Sequence, residues 1–181
     1  MRRQRLKGMR AYLCGAMEAA PDKGVGWRIE LAGWLKKLGI VCIDPANKPI
    51  DIVPEDAESM ARRRAMKNKK QWVKYQKECR LMRCVDLRLV DIADILIVNV
   101  DFRVYSIGTW EEVTVANRSK KPIIVRIEQG KMAGTDWLFG TLPHQMIFST
   151  WDEVKAYLTH IHRDDKIRTL KRWLFFDRRR L

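Results

Sequence analysis

Short apolar runs alternate with amphipathic stretches along most of the chain, and that alternation predicts strands and helices in turn. Met9 to Cys14 reads as a first strand ending at Gly15. Trp27, Leu31, Trp34, Leu35 and Leu38 then recur at helical spacing, with Gly39 as the stop. Ile40 to Ile43 predicts a second strand, closed by Asp44-Pro45, and Pro45, Pro49 and Pro54 mark a turn-rich connection after it. Further strands are expected at Asp94 to Val100, Ile123 to Ile127 and Met146 to Phe148. One helix follows Gly108 and another spans Trp151 to His160, capped by Ser149 or Thr150. Strands alternating with helices imply a parallel sheet covered on both faces. Right-handed crossovers favour a doubly wound, five-stranded, flavodoxin-like (Rossmann-like) α/β arrangement.

Three stretches fit this rhythm poorly. Glu55 to Arg80 has helical propensity but little apolar periodicity and predicts a long, exposed helix, with a separate helix from Leu81 to Ile92. Glu128 to Pro143, with Gly130, Gly134 and Gly140, reads as a long loop. Near the end, Leu170, Trp173, Leu174 and Phe176 form the apolar side of an additional helix. The expected organisation is a domain over residues 1–162 with a basic helical insertion at about 55–80, followed by a basic extension over 163–181.

A chain of 181 residues suits one domain with a real core. No apolar stretch approaches the roughly 18 residues that cross a membrane, and no secretory signal is expected from the opening Met-Arg-Arg-Gln-Arg-Leu-Lys. Cys14, Cys42, Cys79 and Cys84 form no Cys-x-x-Cys pair and read as reduced thiols of a cytoplasmic protein, Cys14 and Cys42 serving as small apolar groups in strands. Charge changes the picture more. The formal net charge is +14, and between Arg62 and Arg83 ten basic residues face a single acid, Glu78. Such a field attracts polyanions or phosphorylated small molecules. Basic side chains interleaved with Trp72, Tyr75 and Trp173 also suit a nucleic-acid-binding module.

The segment with most chemistry runs from Gly108 to Pro122. It lies between Ile95–Val100 and Ile123–Val125, so a glycine turn is expected to set Glu111 and Glu112 into the first turn of a helix, at the carboxyl edge of the sheet. The helix dipole alone accounts for acids in such a turn. Two other elements carry chemistry beside it: Tyr12-Leu13-Cys14-Gly15 at the end of the first strand, and Asp86, eight residues ahead of Asp94. Other constellations are absent. His144, His160 and His162 share no metal-ligand spacing with the cysteines, and Gly24-x-Gly26 lacks the rest of a dinucleotide fingerprint. Neither a phosphate loop nor a serine nucleophile elbow occurs.

Taken together, Tyr12 to Gly15, the run Asp86-Leu87-Arg88-Leu89-Val90-Asp91-Ile92-Ala93-Asp94, and Gly108 to Pro122 with Glu112, Ala116 and Lys121-Pro122 resemble the nucleoside 2-deoxyribosyltransferase family. The nearest branch is that of the 2'-deoxynucleoside 5'-phosphate N-hydrolases. Phe148 to Leu158 is similar to the family's closing strand and helix, so the resemblance covers most of residues 9–160 apart from the basic segment.

The resemblance implies an enzyme acting on the N-glycosidic bond of a nucleoside or nucleotide. Glu112 would be its carboxylate nucleophile, with Glu111 as the competing candidate that lacks Ala116 and Pro122 at the family's offsets. Asp86 would be the acid that assists base departure, and Tyr12 would orient the nucleophile. Asp94 is expected to be structural. Gly15 and Gly108 would admit the sugar to the backbone. Serine at position 106, where members using free nucleosides carry aspartate, favours a 5'-monophosphate, with Thr109 at a helix N-terminus helping to hold the phosphate. Phe102, Tyr105 and Trp110 are candidates for stacking on the base. No metal or organic cofactor is called for, and a homodimer or larger homo-oligomer is implied. The alternative is a nucleic-acid-binding or nucleotide-sensing protein on the same fold, without catalysis.

Overall fold

The computed structural model describes residues 4–48, 53–163 and 172–173. Five strands, β1 (Arg10–Gly15), β2 (Val41–Ile43), β3 (Ile95–Val100), β4 (Ile123–Ile127) and β5 (Ile147–Phe148), form one all-parallel sheet in the order β2-β1-β3-β4-β5. This is the doubly wound arrangement expected from the sequence. Its chain direction across the sheet reverses between β1 and β3, and the crevice outside the carboxyl ends of those two strands is where ligands of such sheets bind.

The helices divide between the two faces. Helices α1 (Val25–Lys37) and α6 (Trp151–Arg163) cover Leu13, Ile95, Ile97 and Ile124. Across the outside of that layer Trp27 and Trp151 stack at 5.2 Å. On the opposite face α3 (Trp72–Ile92) and α4 (Ile107–Arg118) cover Tyr12, Cys14, Leu96 and Val98. Because strand side chains alternate between faces, Tyr12 and Cys14 point the same way, toward α3 and α4. The Lys121-Pro122 step locks that layer: Lys121 Nζ donates to the carbonyls of Asp91 and Ala93 at the end of α3, at 2.6 and 2.5 Å.

Several expectations are corrected. The basic segment is not one helix ending near Arg80. It forms α2 (Ala57–Asn68), capped by the Asp56 carboxylate on the Ser59 N–H, and then the first half of α3, which runs unbroken through Leu81. The break comes at Lys69–Gln71, where Lys70 adopts a left-handed φ of 52° and Gln71 N–H returns to the Met66 carbonyl. Glycine usually takes such a position, so a lysine there hides the stop. The glycine-rich stretch after β4 contains a short helix, α5 (Asp136–Thr141), capped by Thr135 and anchored by buried Leu138. Gly108 makes no turn. Helix α4 already begins at Ile107, so Glu111 and Glu112 fall in its second turn. Trp173 is fully buried, its indole N–H donating to the Tyr157 hydroxyl, which removes it from any surface that stacks on bases. The other residues of the expected C-terminal helix lie outside the described residues. No helix among the described residues is long and apolar enough to cross a membrane.

Candidate active site

Helix periodicity decides which glutamate faces the sheet. On α4 the buried residues Thr109, Val113 and Ala116 form one stripe, and Glu112 lies on it. Glu111 is one residue off that stripe and turns outward to an ion pair with Arg83 of α3, whose Nε donates to it at 2.8 Å. On α3 the same spacing sets Asp86 on the stripe of Leu89, Val90 and Ala93. Two acids are thus carried on the apolar faces of neighbouring helices, against the strand that presents Tyr12 and Cys14.

Glu112 receives two directed hydrogen bonds. The Tyr12 hydroxyl donates to Oε1 at 2.8 Å and the Cys14 thiol to Oε2 at 2.9 Å. Burial pushes the carboxyl up from its ordinary range, while these two donors hold it down by favouring the charged form. The phenol and the thiol are both pushed well up, first by burial and then by the Glu112 charge, so each keeps the proton it donates. Tyr12 is the third residue of β1 and reaches the site by the length of its side chain. Cys14 was expected to be a small apolar group; it is buried as expected but donates to the carboxylate as well.

Asp86 sits in a different electrostatic setting. Lys48 Nζ lies 2.6 Å from Asp86 Oδ1 and 2.6 Å from Glu55 Oε1, with the lysine side chain almost wholly buried. Burial and repulsion from Glu55, with a smaller push from Glu112, outweigh the Lys48 charge and raise the Asp86 carboxyl to about 7. Burial thus raises both acids, but Glu112 alone receives two directed donors that favour its ion, while Asp86 faces the Glu55 charge that favours its proton, an asymmetry suited to a nucleophile beside an acid. Lys48 and Glu55 escaped the sequence reading. The available signal was two charged residues in the proline-rich connection leaving the carboxyl end of β2.

Arg28 of α1 also went unnoticed. It is fully buried, donating to the carbonyls of Leu13, Gly24 and Gly15 at 3.1, 2.6 and 2.9 Å, and it fixes the chain where it leaves β1. Its charge also acts against the upward push that burial gives Glu112.

A cavity of about 330 Å³ opens at the N-terminus of α4, lined among others by Ala16, Phe102, Tyr105, Ser106, Thr109 and Trp110. Ser106 stands at the N-cap, makes no side-chain cap, and meets the Thr109 hydroxyl. The two expected glycines differ. A Cβ at Gly108 would meet nothing, so its side toward solvent is open. At Gly15 a Cβ would lie 3.0 Å from the Asn99 carbonyl oxygen and 3.1 Å from the Trp27 ring, so glycine there makes room for the protein's own neighbours rather than for a sugar. Asp94 takes no part: it binds the Arg10 N–H and guanidinium at the amino ends of the strands.

No family model and no curated protein matches the chain. Solved structures do. A 2-deoxyribosyltransferase from Bacillus psychrosaccharolyticus superposes with a TM-score of 0.54 at 15% identity, covering 82% of this chain and 91% of that one. A 2-deoxyribosyltransferase from Leishmania mexicana gives 0.56 at 15% identity, covering 85% and 99%. The chain shares their fold. Likeness at this identity extends to architecture, so the chemistry has to be argued from the side chains.

Removing one donor tests the carboxylate's setting. Tyr12→Phe is expected to raise the Glu112 carboxyl further, moving the acid limb of any Glu112-dependent activity to higher pH. Activity at neutral pH should fall by about tenfold or more, the scale of a hydrogen bond to a charged group at about 1.5–3 kcal/mol. An unmoved acid limb in a folded variant would show that the phenol does not tune Glu112.

Proposed function

We propose that the protein cleaves the N-glycosidic bond of a 2'-deoxyribonucleoside 5'-monophosphate or a close relative through a covalent glycosyl-enzyme. The observation that carries this reading is one carboxylate, Glu112, held by two donors beside a second carboxyl group, Asp86, biased toward its proton. Glu112 attacks the anomeric carbon as the carbon–nitrogen bond breaks. The bonding electrons leave with the base, and Asp86 supplies its proton. Water or a second base then attacks the same carbon. The ester to Glu112 breaks, and Asp86 recovers a proton from the incoming nucleophile. Two displacements give overall retention. Hydrolase and transferase differ only in which acceptor wins the second step, and neither step calls for a metal or organic cofactor. A homo-oligomer, implied by the resemblance, belongs to the same proposal.

Ser106, Thr109 and the open side of Gly108 at the α4 N-terminus support a 5'-phosphate in the cavity, where the helix dipole and unpaired N–H groups favour an anion. The net charge of +14 favours it further. Assaying deoxynucleosides against their 5'-monophosphates for released base, with and without an acceptor base, tests substrate class and acceptor together. The monophosphate is expected to be favoured in kcat/KM by about tenfold or more, the value of one or two charge-assisted hydrogen bonds. Equal efficiency would remove the phosphate from this reading.

A second reading is favoured by Trp72, more than half exposed among the lysines of the α2–α3 turn: a surface for single-stranded nucleic acid. Binding of that kind would weaken steeply with salt and survive loss of Glu112.

A further inference from the structure

Two charges in the site exceed what a nucleophile and an acid require. Lys48 and Glu55 both come from the connection between β2 and α2; Lys48 reaches Asp86, and Glu55 reaches that lysine. An isolated lysine 2.6 Å from a carboxylate would strip it of its proton and make it a poor acid. Lys48 is not isolated. Its ammonium lies at the same 2.6 Å from Glu55, so one buried cation is shared between two carboxyl groups.

We propose that Glu55 is the counter-ion of Lys48, a positioning pair that lets the lysine anchor Asp86 while leaving the acid's proton in place. This rests on the reading of Asp86 as the proton donor for its catalytic meaning, though the electrostatic claim stands without it. Four groups on three elements face Asp86: Lys48 and Glu55 from the β2–α2 connection, Glu112 from α4 and Tyr12 from β1. Of these, Glu55 and Lys48 act on it with opposite sign, Glu55 raising and Lys48 lowering its affinity for its proton. Glu55 thereby offsets the pull of Lys48 at Asp86, and the acid keeps its proton beside the Glu112 carboxyl that Tyr12 and Cys14 hold. That is the arrangement from which the first displacement begins and to which the second returns the site.

The pair predicts opposite shifts that cancel. In Glu55→Gln the uncompensated lysine should lower the titration midpoint of Asp86, and in Lys48→Met the uncompensated glutamate should raise it. Each shift is expected to be about one pH unit, the low end of what a charge at this range produces. In the double variant the midpoint should return near that of the parent. Carbon NMR of the labelled Asp86 carboxyl in the full chain reads these shifts with no substrate present, so the result is independent of whether the glycosidase reading holds. Where base is released, the alkaline limb of the pH profile should move with the NMR midpoint, so that Glu55→Gln loses about tenfold in rate above the midpoint. Glu55→Gln that leaves the Asp86 midpoint in place, or a double variant displaced as far as either single one, would overturn the proposal. If a single variant does not fold, Glu55→Asp and Lys48→Arg provide the same comparison with the charges kept. A midpoint that changes with the length of the charged side chain supports the pair, and one that ignores it refutes it.

Discussion

Glu112→Gln is expected to lower base release by roughly a thousandfold or more, the scale on which enzymes respond to loss of a covalent nucleophile, with substrate binding largely retained. The substitution is nearly isosteric. A glutamine can still accept from Tyr12, and its position on the buried stripe of α4 is unchanged, so the fold should survive. What disappears is the charge that meets the developing positive character at the anomeric carbon, and with it the atom that bonds to that carbon. Glu112→Ala should be equally inactive. Glu111→Gln is the internal control. It breaks an exposed ion pair with Arg83, an interaction of about 0–1 kcal/mol, and should leave turnover near that of the parent. Rapid quenching adds a direct readout, since the parent should carry the mass of one sugar phosphate on the peptide containing residue 112. Full turnover in both Glu112 variants, or an adduct mapped elsewhere, would remove the proposed nucleophile.

How far the site could be read in advance depended on which residues belong to periodic elements. Tyr12, Asp86 and Glu112 lie on a strand or a helix, so a spacing rule relates each to a buried face: Glu112 shares its stripe with Val113 and Ala116, and Asp86 with Leu89 and Val90. The strands were legible for the same reason, since a fully buried parallel strand such as β3 is an unbroken apolar run. Lys48 and Glu55 come from a connection with no period. Nothing local distinguishes a lysine that reaches inward to two carboxylates from one that faces water, because burial of a charge is settled by tertiary neighbours. The helix break at Lys70 was hidden because a lysine occupies a backbone conformation that glycine normally announces. Gly108 misled in the opposite direction, a glycine inside a helix where a turn was expected. Helix α5 shows a third case. Its glycines suggested a loop, while the cap at Thr135 and the single buried Leu138 were enough to close one and a half turns.

Asp86→Asn separates the chemistry of the acid from its cost to the fold. Base release from an ordinary nucleotide should fall by about 10²–10⁴-fold, the range in which positioned general acids contribute. A 2-deoxyribosyl substrate whose leaving group departs without a proton should recover most of that loss, because the first step then no longer depends on the acid. The parent should lose activity as pH rises through about 7, where Asp86 surrenders its proton, and the variant should lack that limb. Stability should respond with a fixed sign. The folded-state carboxyl is raised, so its contribution is fully present below its unfolded value of about 4 and is lost as pH climbs through about 7. Above that point the parent buries a carboxylate facing Glu55 and Glu112, and the neutral amide does not. The melting temperature of the variant relative to the parent should therefore rise across this window and then level off. A difference that stays flat with pH would mean that Asp86 is ionised throughout, and a group without a proton cannot be the one that escorts the base away.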